Sequence, residues 1–97
     1  MKKEDIIKEI ADYVNWDNYG GWYVGITNDA ERRLFDSSEH NVDKNKGCWI
    51  HCPADSKQEA QEIEEHFLKL GMDGDTGGGK DNSTIVYCYM KTTSTKP

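Results

Sequence analysis

Trp22-Tyr23-Val24-Gly25-Ile26-Thr27-Asn28-Asp29-Ala30-Glu31-Arg32-Arg33-Leu34 is the stretch in which the residue pattern of this chain changes period. From Trp22 to Thr27 the period is two. Trp22, Val24 and Ile26 fall on one face and Tyr23, Gly25 and Thr27 on the other, as in a strand. Asn28 and Glu31 have the spacing of a capping box, which satisfies free amides in a first helical turn. A short helix through about Phe35 is therefore expected.

On the N-terminal side, Ile6, Ile7, Ile10 and Val14 recur at helical spacing between charged residues and predict an amphipathic helix over roughly 4–14. Asn15 to Gly21 reads as the turn that ends it. On the C-terminal side, Ser37 to Gly47 is a polar surface loop, and Cys48 to Cys52 a short strand stopped by Pro53. Ala60, Ile63, Phe67 and Leu70 form the core stripe of a helix over about 56–70, with Gly71 placed as its C-terminal cap. From Ser83 to Lys91, Ile85, Tyr87 and Tyr89 alternate with Val86, Cys88 and Met90. Apolar bulk on both faces predicts a central strand covered on both sides. The expected fold is a small α/β domain over 1–91, with a mainly antiparallel sheet of 22–27, 48–52 and 83–91 flanked by three helices. Residues 92–97 are expected to be a flexible tail.

Composition bounds the function. The chain has 97 residues, 35% hydrophobic and 31% charged, too rich in apolar groups for disorder and too polar for a membrane protein. Its net charge of -6 argues against a free-standing electrostatic grip on nucleic acid. Three cysteines make an odd number without the framework of a secreted mini-protein, and residues 1–14 lack a signal peptide's apolar run. A cytoplasmic protein that makes no membrane contact is expected.

Several local patterns take structural readings. Gly74 to Lys80 fits part of a phosphate-binding P-loop, but a helix precedes it, a strand follows, and Asp81 stands where Ser or Thr is needed. Asp73 and Asp75 begin a calcium-loop pattern that Gly77 and Thr84 break. Strand geometry sets Cys48 and Cys52 opposite His51, predicting buried thiols and a surface histidine. Met72 and Met90 read as core filling, and His66 as a solvated helix position.

Tyr23, Gly25, Thr27, Arg33 and Glu64 are different, because each lies at the edge of a face that should be buried. A carboxylate to hold a divalent metal, a guanidinium for charge developing on phosphorus and a phenol to orient or deprotonate water together suit phosphodiester hydrolysis. The structural alternative is an Arg33–Glu64 salt bridge with Tyr23 packed on it.

The run Tyr23-Val24-Gly25, the Thr-Asn turn, and Arg33 followed by Leu34 resemble the second half of the GIY-YIG nuclease signature. Ser56 to Glu64 resembles that family's long helix, in which a metal-binding Glu follows an aliphatic residue. The resemblance implies Mg-dependent DNA cleavage, with Glu64 as metal ligand, Arg33 stabilising charge and Tyr23 positioning water. The family's first tripeptide belongs about ten residues before Tyr23, where the chain reads Ala11-Asp12-Tyr13. The general base is then Tyr13 or, if the C-terminal strand supplies the missing sheet position, Tyr87 or Tyr89. The family's usual His is displaced to His40, and its Asn beyond the helix corresponds at best to Asn82. DNA and a targeting protein are the implied partners. The second reading is a catalytically inactive protein- or nucleic-acid-binding module on the same scaffold.

Overall fold

The computed structural model describes residues 1–15, 18–74 and 82–97. Helix α1 spans Lys3–Tyr13, strand β1 Trp22–Thr27, helix α2 Ala30–Phe35, strand β2 Trp49–Pro53, helix α3 Lys57–Lys69 and strand β3 Ile85–Met90. The three strands form one antiparallel sheet in the order β1-β3-β2, so the strand with apolar bulk on both faces is the central one. The domain is therefore small α/β, with its helices divided between the two sides of the sheet.

On one side, Ile6 and Ile10 of α1 and Ile63 and Phe67 of α3 pack with Trp22, Val24, Val86 and Cys88. On the other, Ala30 and Leu34 of α2 and Val42 pack with Tyr23, Tyr87 and Tyr89. Every residue of β1 is buried, Thr27 included. The outer edge of β1 is partly covered too: Val24 N–H donates to the Asp73 carbonyl, and Asp73 N–H donates to that of Trp22. Those bonds pin the chain leaving α3 alongside the strand that carries Tyr23.

The element ends have local causes. Asn15 takes a left-handed conformation after α1, at φ 65. After α3, Gly71 at φ 116 lets Gly71 N–H bond the Leu68 carbonyl and Met72 N–H the Phe67 carbonyl, closing the helix in a Schellman motif. Ser56 caps the other end through the Glu59 amide.

Four sequence expectations need correction. The N-cap of α2 is Asp29, which accepts from Arg32 N–H, while the Asn28 amide donates to Asn82. Strand β2 includes Pro53 and leaves out Cys48, because an edge strand tolerates a residue without an N–H; Cys48 is consequently exposed. Leu70 and Met90 are 46% and 38% exposed, each at the C-terminal end of its element. Residues 92–97 were read as a loose tail, yet Lys96 N–H donates to the His40 carbonyl and the Asn41 amide to the Ser94 carbonyl. The P-loop and calcium readings of the glycine-rich stretch rest largely on 75–81, outside the described residues. Among the described residues, no helix is long and apolar enough to cross a membrane.

Candidate functional site

The site grows from a close approach inside the sheet. Gly25 of β1 faces Tyr87 of β3, and the Tyr87 ring lies where a Gly25 side chain would be. Two pairs along, on the same face, Tyr23 faces Tyr89, with the rings stacked at 5.2 Å. Three phenols thus share the α2 side of the sheet.

Helix α2 and the loop after it bring the charged partners. Arg33, in the last turn of α2, ion-pairs with Glu39, and its charge lies close enough to Tyr87 to act on the phenol. The loop turns on Asp36, whose carboxylate accepts from both the amide and the hydroxyl of Ser38. Those two bonds hold its carboxyl below the usual carboxylate range. Val42 N–H then returns to the Leu34 carbonyl, and His40 is folded under, 3% exposed.

His40 links the cluster. Its Nδ1 lies 2.7 Å from the Lys96 carbonyl and 2.9 Å from the Tyr89 oxygen, and its Nε2 lies 2.7 Å from the Tyr87 oxygen. A carbonyl can only accept, so Nδ1 carries the proton of the neutral ring and Nε2 is left as the acceptor for the Tyr87 hydroxyl. Burial lowers the His40 pKa, and the Arg33 charge adds to that against the opposing pull of the Lys96 carbonyl and Glu39. Burial raises the pKa of Tyr87, while Arg33 works against the rise; Tyr89 is raised likewise by burial.

The lowered His40 pKa has a sign in stability. The unfolded chain takes up this proton near pH 6.5 and the folded chain only at lower pH, so the unfolded state binds more protons within that window. Melting temperature is expected to fall as pH drops from 7 through 6.5, and His40→Gln should flatten the slope. The assignment fails if the variant's melting curves keep the same pH dependence.

Of the residues singled out from sequence, Tyr23, Arg33, Tyr87 and Tyr89 come together. Glu64 is only 3% exposed, on a helix that packs against both β1 and α1; its charge is close enough to disfavour the Tyr87 phenolate. In place of the salt bridge to Glu64 that was the structural alternative, Arg33 ion-pairs with Glu39. Tyr13 does not join the cluster. It is 44% exposed on the opposite side of the sheet, edge-on to Trp22, and its hydroxyl accepts from Trp49 N–H. Helical geometry at the end of α1 keeps it there.

Glu39 was missed, and His40 appeared in the sequence only as a displaced family residue. The loop's Asp36-Ser37-Ser38 turn was the available signal. Beside the cluster opens a cavity of about 510 Å³ that Tyr23, Arg33, Glu39, His40, Asp73 and Lys96 help to line. Among the described residues, no group of three or more His, Cys, Asp or Glu side chains could hold a metal. Burial pushes the Cys52 thiol up to about 11 and raises that of Cys88, so neither is a ready nucleophile. Compared with protein-family models, curated proteins and solved structures, the chain matches none.

Proposed function

We propose that this domain hydrolyses phosphodiester bonds of DNA with the help of a divalent metal, in the manner of the GIY-YIG nucleases it resembles. The observation that carries the reading is the Tyr87 phenol, 2.7 Å from the His40 Nε2 acceptor, with the Arg33 charge nearby and Tyr23 stacked alongside. Strand β3 runs antiparallel beside the strand bearing Tyr23, which favours Tyr87 over Tyr13 as the general base.

The roles follow from the geometry. Tyr23 lines the cavity and orients water. Tyr87 takes the water's proton as its own passes to His40 Nε2, and this coupled transfer spares a free phenolate that burial would disfavour. The Lys96 carbonyl fixes the ring in the tautomer that can receive the proton, and Tyr89 holds the same edge. Arg33 meets the charge that develops on the phosphoryl oxygens. Glu64 supplies a carboxylate oxygen suited to Mg, which characteristically takes one or two carboxylates and completes its shell with water and substrate phosphate. When bound, the metal would draw charge from the phosphoryl group. A cytoplasmic setting and a targeting partner belong to the proposal: all three cysteines are free thiols, and the 12 basic residues of an acidic chain give little non-specific hold on DNA.

The second reading, a catalytically silent binding module, is favoured by one observation: Glu39 already occupies Arg33. Nicking of supercoiled plasmid separates the two. The wild type is expected to nick with Mg or Mn and to stop in EDTA. Tyr87→Phe should lower the rate by about 100-fold or more, while Tyr13→Phe should leave it near wild type. No nicking with either metal would leave the silent module; equal loss in both variants would remove Tyr87 from its role.

A further inference from the structure

The Glu39 carboxylate is gripped at both oxygens by different guanidinium groups. Arg32 Nη1 lies 2.8 Å from Oε1, and Arg33 Nη1 bonds Oε2. Two neighbouring arginines on α2 therefore converge on one anion at the wall of the 510 Å³ cavity. We propose that Arg32 and Arg33 form a phosphate-binding seat, and that Glu39 is a built-in occupant which a phosphate group of the substrate displaces. The proposal relies on the nuclease reading for the polymeric nature of the ligand, though not for the seat itself.

Chemistry supports a displaceable occupant. Guanidinium groups bind carboxylate and phosphate oxygens in the same forked geometry, so a group that satisfies one satisfies the other. Glu39, Arg33 and Arg32 side chains are 21%, 37% and 48% exposed, and ion pairs open to solvent to this degree are worth little. Glu39 also sits in a loop rather than on a strand or helix, so its side chain can swing away without disturbing the sheet. In this view Arg32 is a binding residue for the phosphate, and Glu39 keeps the seat closed to weak anions.

The test measures binding without cleavage. Inorganic phosphate is titrated by thermal shift, and a short fluorescent DNA duplex by anisotropy, both in EDTA at constant ionic strength. The variants are Glu39→Gln, the charge-matched Glu62→Gln on α3, and Glu39→Gln combined with Arg32→Ala. Glu39→Gln is expected to bind both probes roughly fivefold to tenfold tighter than wild type. Glu62→Gln should change little, and the added Arg32→Ala should cancel the gain. Equal effects of Glu39→Gln and Glu62→Gln, or no gain at all, would overturn the seat. A gain for inorganic phosphate without one for the duplex would overturn its assignment to a phosphodiester. Tighter binding in Glu39→Gln with no cleavage once Mg is restored would uphold the seat and count against the nuclease reading alone.

Discussion

Glu64→Gln is expected to abolish metal-dependent nicking, with a loss of about 1000-fold or more, while leaving the protein folded. The substitution keeps the shape of a side chain that is 3% exposed beside Ile63 and Phe67, so the packing of α3 is retained. What it removes is the charge. An amide oxygen is a much weaker partner for Mg than a carboxylate, and metal assistance at a phosphoryl group is worth several kcal/mol, which sets the size of the loss. The same change removes a negative charge that disfavours the Tyr87 phenolate, so Tyr87 should ionise slightly more readily. Plasmid nicking, circular dichroism and a Mg titration of melting temperature together decide the matter. A folded Glu64→Gln protein that nicks like wild type would end the role assigned to Glu64. If the wild type melts at the same temperature with and without Mg, the metal assignment loses its support.

Gly25→Ala should be the most damaging single-methyl substitution in the sheet. A Cβ at Gly25 would lie 2.5 Å from Cζ and 2.9 Å from Cε1 of Tyr87, and closer still to its hydroxyl. The ring cannot step aside cheaply, because its oxygen is hydrogen-bonded to His40 and its whole side chain is buried. Overpacking of this kind costs about 1–3 kcal/mol, and the rigid, pinned ring places this site at the upper end. For a domain of this size that corresponds to a drop of roughly 10–20 °C in melting temperature. Activity should fall further than stability, since whatever shift relieves the clash moves the phenol away from His40. An alanine variant melting within a degree or two of wild type would show that the ring is free to move, and would undercut the pinned geometry on which the proposed base depends.

Much of the scaffold was legible in the residues. Alternation at Trp22–Thr27 and Ile85–Met90, the isoleucine stripe of α1, the apolar stripe of α3 and Gly71 after it are local signals, each set by neighbours a few positions away, and each element formed within a residue or two of its expected bounds. The central place of β3 was legible for the same reason: a strand with apolar groups on both faces needs cover on both. Arg33 and Tyr23 could be singled out because a polar residue at the edge of an apolar face is visible in sequence.

Which phenol meets which charge was decided only by the tertiary structure. Tyr87 and His40 are separated by 47 positions and touch because β3 inserts between β1 and β2, while the Asp36 turn folds the loop beneath α2. The pairing of Arg33 with Glu39 was hidden for a similar reason, since a loop of exposed residues carries no periodicity that fixes where its side chains point. Periodicity determines the face of an element, and so the sequence determined the strands, the helices and their buried sides. The partner across that face depends on the order of the strands and the path of the loops, which is where the three-dimensional packing alone set Tyr87, Arg33 and His40 together.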